Sequence, residues 1–554
     1  MLILVSFLWF IREAKPILFW LYLWQLKEYH LGRFIDHFRT EKGKKIFLNY
    51  LFLLKIILVF TFFQFLFQSV PTCQKYISNL FLSYFLIILY FFESAKGFFD
   101  FFKKKLKAPA FTKKVIFLTF VIFLFQIFYF FSIFQKESFS FHLLIFDIFT
   151  PAIVSGIVLI FQPFVALMRR RIIQKAKKKR EKFKKLIVVG ICGSYGKTST
   201  KEFLATILEE KFPGKVLKTK EHQNSEIGIS QCILNDLNEN HEIFVVEMGA
   251  YNRGGIKLLC NITKPKIGII TGVNEQHLAT FGTMENLISA EGGMELIESL
   301  PEDGLVIFNG NNKHCLDVYQ KTEIKKRIIS TSGKVNSTIV ENTIPGDLWA
   351  EDIKAEKELI EFKVFSRDGN SANFLVNLLG GQNIENILLA ACCAKELGMN
   401  LKEISDACQK IKPEQGGTKL VKTKEGLNII DSTYSANPDG VMAHLEYLKI
   451  WEGKKVIVMP CLIELGKSSK EIHRKIGEKI AEVCDLAIIT TKDKFKEIKE
   501  AAFAKATASQ RKTGIIFMED PKEIAERIKD FCQPGDVILL EGRIPGGVIE
   551  LLIK

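Results

Sequence analysis

The sequence predicts an α-helical transmembrane module followed by α/β domains, and three observations carry that expectation. Long Phe-rich apolar runs are confined to the first third of the 554 residues. The charge divides at the same place: residues 1–185 carry 29 basic and 9 acidic side chains, a surplus of 20, and the remainder carries a deficit of 5 within the net charge of +15. From Leu186 onward, short β-branched runs alternate with amphipathic stretches, the pattern of a mainly parallel sheet wrapped by helices. The length exceeds one domain, and 48% hydrophobic residues exclude a disordered chain. A basic surplus beside long apolar runs points to a lipid bilayer and away from nucleic acid as partner. The eleven Cys form no Cys-x-x-Cys pair, so they read as reduced thiols, without a zinc ribbon or disulfide framework.

Four stretches, 46–69, 77–92, 115–134 and 142–168, are about as long as the ~20 apolar residues that cross ~30 Å of hydrocarbon. A fifth, 2–24, is broken by Arg12, Glu13, Lys15 and Pro16, and reads equally as a kinked span or as two interfacial pieces. It lacks a small-residue cleavage site, which argues against a cleaved signal peptide. The module is therefore expected over 1–168, with four or five spans. The segments 27–45, 93–114 (with Lys103 to Lys107) and 169–185 are strongly basic, whereas the loops around 70–76 and 135–141 are nearly uncharged. By the positive-inside rule the basic segments, and everything after Met168, face the cytoplasm of a multi-pass cell-membrane protein. The run 169–185 reads first as a basic linker that anchors the last span, and second as a site for anionic headgroups. Asp147 and Lys55 fall inside spans, where a charge either snorkels or serves a function.

The α/β half divides into two domains, expected over 186–412 and 413–554. In the first, strands LIVVGI, EIFVVEMG and KIGIITGV precede an amphipathic stretch from Met284 to Glu298. A strand-rich portion from Gly304 to Asn370 is expected to cover this domain, followed by the helical NIENILLAACCAKELG. In the second, NIIDST, KKVIVMP, LAIITT, GIIFME and DVILLEG alternate with helices.

GICGSYGKTST at 190–200 lies between a buried strand and a helix, where a phosphate-binding loop belongs. Gly193 and Gly196 let the backbone approach phosphate oxygens, the helix N-terminus supplies positive potential, and Lys197 adds a full charge. Thr198 or Ser199 presents a hydroxyl to Mg2+. The strict Gly-x-x-x-x-Gly-Lys-Ser/Thr spacing is missed, because Ile191 stands where its first Gly belongs. Glu247, ending an apolar strand, can bring a carboxylate to the same crevice as a metal ligand. Asn383 and Asn386 stand where they can cap their helix.

The spaced form Gly193-x-x-Gly196-Lys197-Thr198-Ser199 resembles the Mur ligases, ATP-dependent amide-forming enzymes of peptidoglycan synthesis. The resemblance continues in order through TKEHQNSEIG (219–228), VVEMGAYNRGGI (245–256), ITGVNEQHLATFGTMEN (270–286), GGQNIENILLAA (380–391), IIDSTYSANPDG (429–440), IELG (463–466) and DVILLEGR (536–543). The Tyr434-x-Ala436-Asn437-Pro438 form is most like the branch that adds D-alanyl-D-alanine. The resemblance implies a P-loop central ATPase domain and a Rossmann-like C-terminal domain, with ATP and Mg2+ as cofactors. It implies nucleotide contacts from Gly193, Ser194, Tyr195, Gly196, Lys197, Thr198 and Ser199, and from Asn383, Asn386 and Asp431. Thr198, Glu247 and His277 would hold the metal, and Lys197, Glu247, His277 and Glu291 would be catalytic. Asn224, Tyr434, Asn437 and Arg543 would meet the muropeptide and the amino-acid or dipeptide substrate.

Several positions depart from the family. Glu291 falls where it usually carries a carbamylated Lys, and could supply the missing carboxylate directly. Gln382 replaces a His, Ser432 the second Asp of a pair, and Thr418 an Arg; Glu541 stands where the closing strand often has Lys. A module of spans precedes the loop where soluble relatives carry a domain gripping UDP, so the acceptor is expected near the bilayer, for instance a lipid-linked muropeptide. The leading expectation is a membrane-anchored ligase working through an acyl phosphate. Its alternative is a catalytically impaired nucleotide-binding scaffold or regulator of the envelope. An ATP-energised transporter, the third class, requires polar pathway residues in the spans. Acceptor, amine and oligomeric state stay open at this level.

Overall fold

The first third folds as helices: α1 (Leu2–Leu26), α2 (Leu31–His37), α3 (Glu41–Phe47), α4 (Tyr50–Phe67), α5 (Thr72–Phe102), α6 (Lys113–Ile133) and α7 (Phe139–Arg180). The computed structural model describes the chain except residues 68–71, 104–105, 137, 222, 333, 337–342, 435, 510–512 and 554. Parts of the expected loop at 70–76, of the loop at 135–141, of the basic run at 103–107 and of the span at 46–69 thus lie outside the described residues. Two compact units result, Met1–Met168 and Arg169–Lys554.

In the first unit Trp9, Leu82, Leu86, Leu143 and Leu144 form one core, and Trp20, Leu21, Trp24, Phe34, Ile122 and Val154 another. The side chains pointing away from these cores are also apolar, Phe128 and Phe131 being more than 70% exposed. Among the described residues three helices, Tyr76–Phe102, Lys113–Ile133 and Phe139–Arg180, are long and apolar enough to cross a membrane. Thr112 and Thr40 cap α6 and α3 by accepting backbone N–H bonds. Two expectations are corrected here. The segment 2–24 is neither in two pieces nor ended by Pro16, since α1 runs through that residue. Lys55 and Asp147 do not snorkel; their charged atoms lie 2.8 Å apart.

The basic run 169–185 continues α7 as helix as far as Arg180. In the second unit this helical end is packed: Ala176 is buried beside Leu186 and Val188. Arg180 donates to the carbonyls of Thr263 and Phe183 at 2.8 Å and of Leu186 at 3.2 Å, which gives the strand that follows a fixed starting point.

That strand, β1 (Ile187–Cys192), lies inside a nine-stranded sheet with β2 (Val216–Lys218), β3 (Ile243–Glu247), β4 (Ile267–Ile270), β5 (Leu305–Asn309) and β6 (Lys325–Ser330). β7 (Lys334–Asn336) and β8 (Thr343–Pro345) pair separately, and β9 (Leu348–Ala355), β10 (Ile360–Ser366) and β11 (Ser371–Val376) complete the large sheet in the order β11-β10-β9-β6-β5-β4-β1-β3-β2. The strands from β2 to β9 are parallel and the β9–β10–β11 edge is antiparallel. The strand-rich portion therefore extends the sheet edge rather than covering the domain. β1 is apolar because both faces are buried: Val189 and Ile191 belong to one core with Phe203, Leu204 and Leu388, and Val188 and Cys192 to another with Ile233 and Leu259. The amphipathic stretch from Met284 breaks into two helices, Met284–Ala290 and Met294–Ile297. Gly293 between them has φ +88°, and a Cβ there would sit 2.3 Å from Ile270 Cδ1.

The second sheet holds β12 (Lys419–Lys422), β13 (Asn428–Ser432), β14 (Lys455–Met459), β15 (Leu486–Ile489), β16 (Gly514–Phe517) and β17 (Val537–Glu541). Its order is β12-β13-β17-β14-β15-β16, with only β12 antiparallel. Parallel strands bring their carboxyl ends to one edge, and both sheets use that edge for the residues described next.

Candidate active site

Register sets the site. Ile191 pairs with Glu247 and Cys192 with Ile270, so β1, β3 and β4 end side by side. The chain leaving β1 turns through Gly193 and Gly196 (φ +145° and +75°) into α8 (Lys197–Lys211). A Cβ would fall 2.0 Å from Thr271 Oγ1 at Gly193 and 2.5 Å from Asn386 Oδ1 at Gly196, so glycine is required at both for space as well as φ. Ser194 N donates to the Gly272 carbonyl at 2.7 Å, tying the loop to the end of β4. Gly196 caps α8 without a side-chain acceptor, and the first turn carries no acidic residue, so its N–H groups face the loop as an anion site. The Lys197 ammonium folds back onto the Gly193 carbonyl, over the same space. Ser199, half-buried, belongs to that first turn. Tyr195 stacks its ring edge against Gly272 and accepts from Asn312 Nδ2 at 3.2 Å; burial holds its phenol well above the usual range.

The expected metal ligands sort into two pairs. Thr198 Oγ1 donates to Glu247 Oε2 at 3.0 Å, and Asn224 Nδ2 donates to Glu247 Oε1 at 3.1 Å. On the other side of the loop Ser194 Oγ donates to Glu291 Oε2 at 2.8 Å, and His277 Nδ1 lies 3.0 Å from Glu291 Oε1. Among the described residues no group of three or more His, Cys, Asp or Glu side chains is placed to hold a metal ion; Thr198 bonds Glu247, and His277 pairs with Glu291. The donor set of hydroxyl and carboxylate still fits Mg2+, which is ordinarily held by one or two carboxylates plus waters and substrate phosphates. Thr198 and Glu247 are the pair placed to hold it.

Sequence reasoning missed four residues here. Lys201, fully buried on α8, brings its ammonium to 3.4 Å from Glu247 Oε2 and 3.1 Å from Glu202 Oε1. Glu385 accepts from Asn309 Nδ2 (2.7 Å) and Asn311 Nδ2 (2.8 Å), and burial raises its pKa despite those donors. Asp439 accepts from Asn274 Nδ2 at 2.9 Å, and burial raises its pKa too. Glu464 lies 3.8 Å from His277 Nε2, and its carbonyl accepts from Ala279 N at 2.9 Å. The position of Glu385 between two asparagines and that of Glu464 in IELG were the available signals. Nothing local singles out Lys201 or Asp439.

Asn383 and Asn386 do not cap their helix, Asn383–Glu396. Asn386 Oδ1 accepts from Thr200 Oγ1 at 3.2 Å beside Gly196, and Asn383 Nδ2 donates to the Leu379 carbonyl at 3.0 Å. In the second sheet Asp431 accepts from the backbone and hydroxyl of Thr433, so it shapes its own turn. Asn437 caps the helix Pro438–Leu448 and accepts from Asn274 Nδ2 at 3.1 Å, which joins the two sheets' carboxyl ends. Tyr434 is half exposed and Arg543 exposed on the same edge. Thr418, Ser432 and Glu541 meet at one buried imidazole: His444 Nδ1 lies 2.7 Å from Glu541 Oε2 and 3.4 Å from Ser432 Oγ, and Nε2 lies 3.2 Å from Thr418 Oγ1.

The profile of the Mur ligase middle domain matches residues 191–394, and that of the Mur ligase glutamate ligase domain matches 418–544. The chain is 28% identical over 375 residues to a UDP-N-acetylmuramoyl-tripeptide--D-alanyl-D-alanine ligase of Bacillus subtilis, covering 66% of this chain and 75% of that one. A ligase of the same name from Buchnera aphidicola is 30% identical over 293 residues, covering 53% and 60%. Among solved structures, the MurF ligase of Thermotoga maritima in complex with ADP is similar with a TM-score of 0.57 and 27% identity, covering 69% of this chain and 83% of that one. MurF from Acinetobacter baumannii shares the fold, with a TM-score of 0.59 at 24% identity over 70% and 80%. With glycine loop, strand-end carboxylate and both domain profiles in one order, the chain belongs to the Mur ligase family of ATP-dependent ligases.

Proposed function

We propose that this protein is a membrane-anchored ligase of peptidoglycan precursor synthesis that joins an amine, with D-alanyl-D-alanine the first choice, to a muropeptide carboxylate at the expense of ATP. The observation carrying the reading is the loop Gly193–Thr198 packed against Glu247 at the carboxyl edge of the large sheet. There the γ-phosphoryl group passes to an acceptor carboxylate oxygen and ADP leaves; the amine then attacks the acyl carbon, loses a proton, and expels phosphate. Lys197 and the first-turn N–H groups of α8 hold the phosphate oxygens where charge develops. Bound Mg2+ on Thr198 and Glu247 would neutralise the β- and γ-oxygens. The Glu291–His277 pair, tied to the loop through Ser194, faces the same space from the other side and orients the reacting carboxyl. Asn274, bonded to Asn437 and Asp439, sets the distance between the edges that deliver acceptor and amine.

Apolar helices and basic flanking segments support multi-pass insertion with both sheets on the cytoplasmic side. The acceptor is accordingly proposed to lie near the bilayer, where confinement raises its effective concentration. The test is ADP release by the full chain with UDP-linked and lipid-linked muropeptides, each with and without D-alanyl-D-alanine. Release that requires both substrates and favours the lipid-linked acceptor is expected. Release indifferent to every acceptor and amine contradicts the ligase reading and favours a nucleotide-binding scaffold.

A further inference from the structure

The charged residues within the helical unit converge on one place. Arg12 and Glu13 come from α1, Lys55 from α4, Glu93 from α5 and Asp147 from α7, and none of these side chains is more than 16% exposed. Arg12 Nε donates to Glu93 Oε2 at 2.9 Å, and the guanidinium also meets Glu13 and Asp147. Lys55 Nζ lies 2.8 Å from Glu93 Oε1 and 2.8 Å from Asp147 Oδ2. Glu93 and Asp147 therefore each face both cations. Among the described residues Glu13 forms an ion pair with Arg12 alone, and its other hydrogen-bond neighbour is the neutral Thr150 hydroxyl.

We infer that Glu13 is a proton-binding site, carrying a proton in the folded protein so that three carboxyls and two cations make an uncharged whole. An unbalanced charge in an apolar interior costs far more than binding a proton does. The Thr150 hydroxyl supplies independent support. Its oxygen lies 2.9 Å from both Glu13 Oε2 and the Phe146 carbonyl oxygen. One hydroxyl hydrogen serves one acceptor; given to the carbonyl, it leaves the contact with Glu13 to be made by a hydrogen on Glu13. Tyr90 on α5 is fully buried beside Arg12, and among the described residues its hydroxyl has no hydrogen-bond partner, so a further polar atom lies beside the cluster. α6, which also packs on α1, has no charged residue between Val115 and Gln135 and brings only Gln126 and Tyr129. Lys15 and Asp100 pair separately at 2.5 Å. This charged cluster is thus assembled from four helices.

The experiment uses the full chain in nanodiscs of zwitterionic lipid and reads the infrared C=O stretch of protonated carboxyl groups at pH 7. A band lost in Glu13→Gln and retained in Glu385→Gln is expected; a spectrum unchanged by Glu13→Gln overturns the inference. Melting temperature provides a second reading. Glu13→Gln mimics the protonated side chain and is expected within about 3 °C of the parent, whereas Asp147→Asn, which breaks a doubly paired carboxylate, falls by about 5 °C or more. Equal losses in the two variants overturn the inference, since Glu13 would then be an ionised partner of Arg12. If Glu13→Gln does not fold, Thr150→Val decides: the band shifts when its hydroxyl partner is removed, and an unshifted band counts against Glu13.

Discussion

Replacing Gly196 by Ala tests whether the loop is pressed against the helix Asn383–Glu396, and Gly214 supplies the control. Both glycines are left-handed, with φ +75° and +69°. An L side chain in that region costs about 1 kcal/mol at either position. At Gly214 nothing lies within 4 Å of an added Cβ, so that cost stands alone. At Gly196 the Cβ would lie 2.5 Å from Asn386 Oδ1, which must retreat toward ~3.5 Å. The retreat breaks the 3.2 Å bond from Thr200 Oγ1, whose hydroxyl is buried, adding about 1 kcal/mol or more. Gly196→Ala is therefore expected to lose about 2–3 kcal/mol and Gly214→Ala about 1 kcal/mol. Pulse proteolysis of the full chain in a urea series measures both. Equal losses would refute the packing of loop on helix, and with it the reason glycine occupies this position.

Glu247→Gln removes the one carboxylate of the Thr198–Glu247 pair, so ADP release is expected to fall at least ~100-fold and to require more Mg2+; an unchanged Mg2+ dependence would remove Glu247 from the site. His444→Ala leaves Glu541 buried without its imidazole partner and is expected to cost about 3 kcal/mol by pulse proteolysis, with Glu541→Gln recovering part of it in the double variant. Glu396 is pushed up by burial but pulled further down by Lys325 and Arg327, so its folded pKa lies below 4.5. A lowered carboxyl stabilises above its unfolded value and loses that contribution as pH falls through the folded one. The difference between parent and Glu396→Gln, about 0.5–1 kcal/mol at pH 7, is therefore expected to shrink below pH 4.5; a difference constant down to pH 3 contradicts the pairing.

Local pattern made the buried strands legible: IVVGIC, IFVVE and IGII are apolar because both faces are covered, and β1, β3 and β4 occupy those runs. Glycine spacing likewise made the turn from β1 into α8 legible, since only positive φ and absent Cβ atoms permit that path. Contacts between distant segments were not legible. Thr418, Ser432 and Glu541 each look like an isolated departure from the family, yet they share His444, a residue with no marked neighbourhood in sequence. Arg12, Lys55, Glu93 and Asp147 are separated by 38 to 54 positions and become one cluster only when helices pack. The break at Gly292–Gly293 was hidden because the surrounding apolar spacing stays helical, and close contact with Ile270, a tertiary feature, demands the turn. His277 and Glu247 take Glu291 and Thr198 as their partners, contacts between segments that no local pattern gives.

Calorimetric titration of the full chain with Mg-ADP probes the nucleotide site without reference to acceptor or amine. One site per chain is expected, lost or weakened at least ~100-fold in Lys197→Ala, whose ammonium is the full positive charge folded over the loop. Absence of binding heat in the parent, or equal affinity in Lys197→Ala, would contradict a phosphate site between β1 and α8.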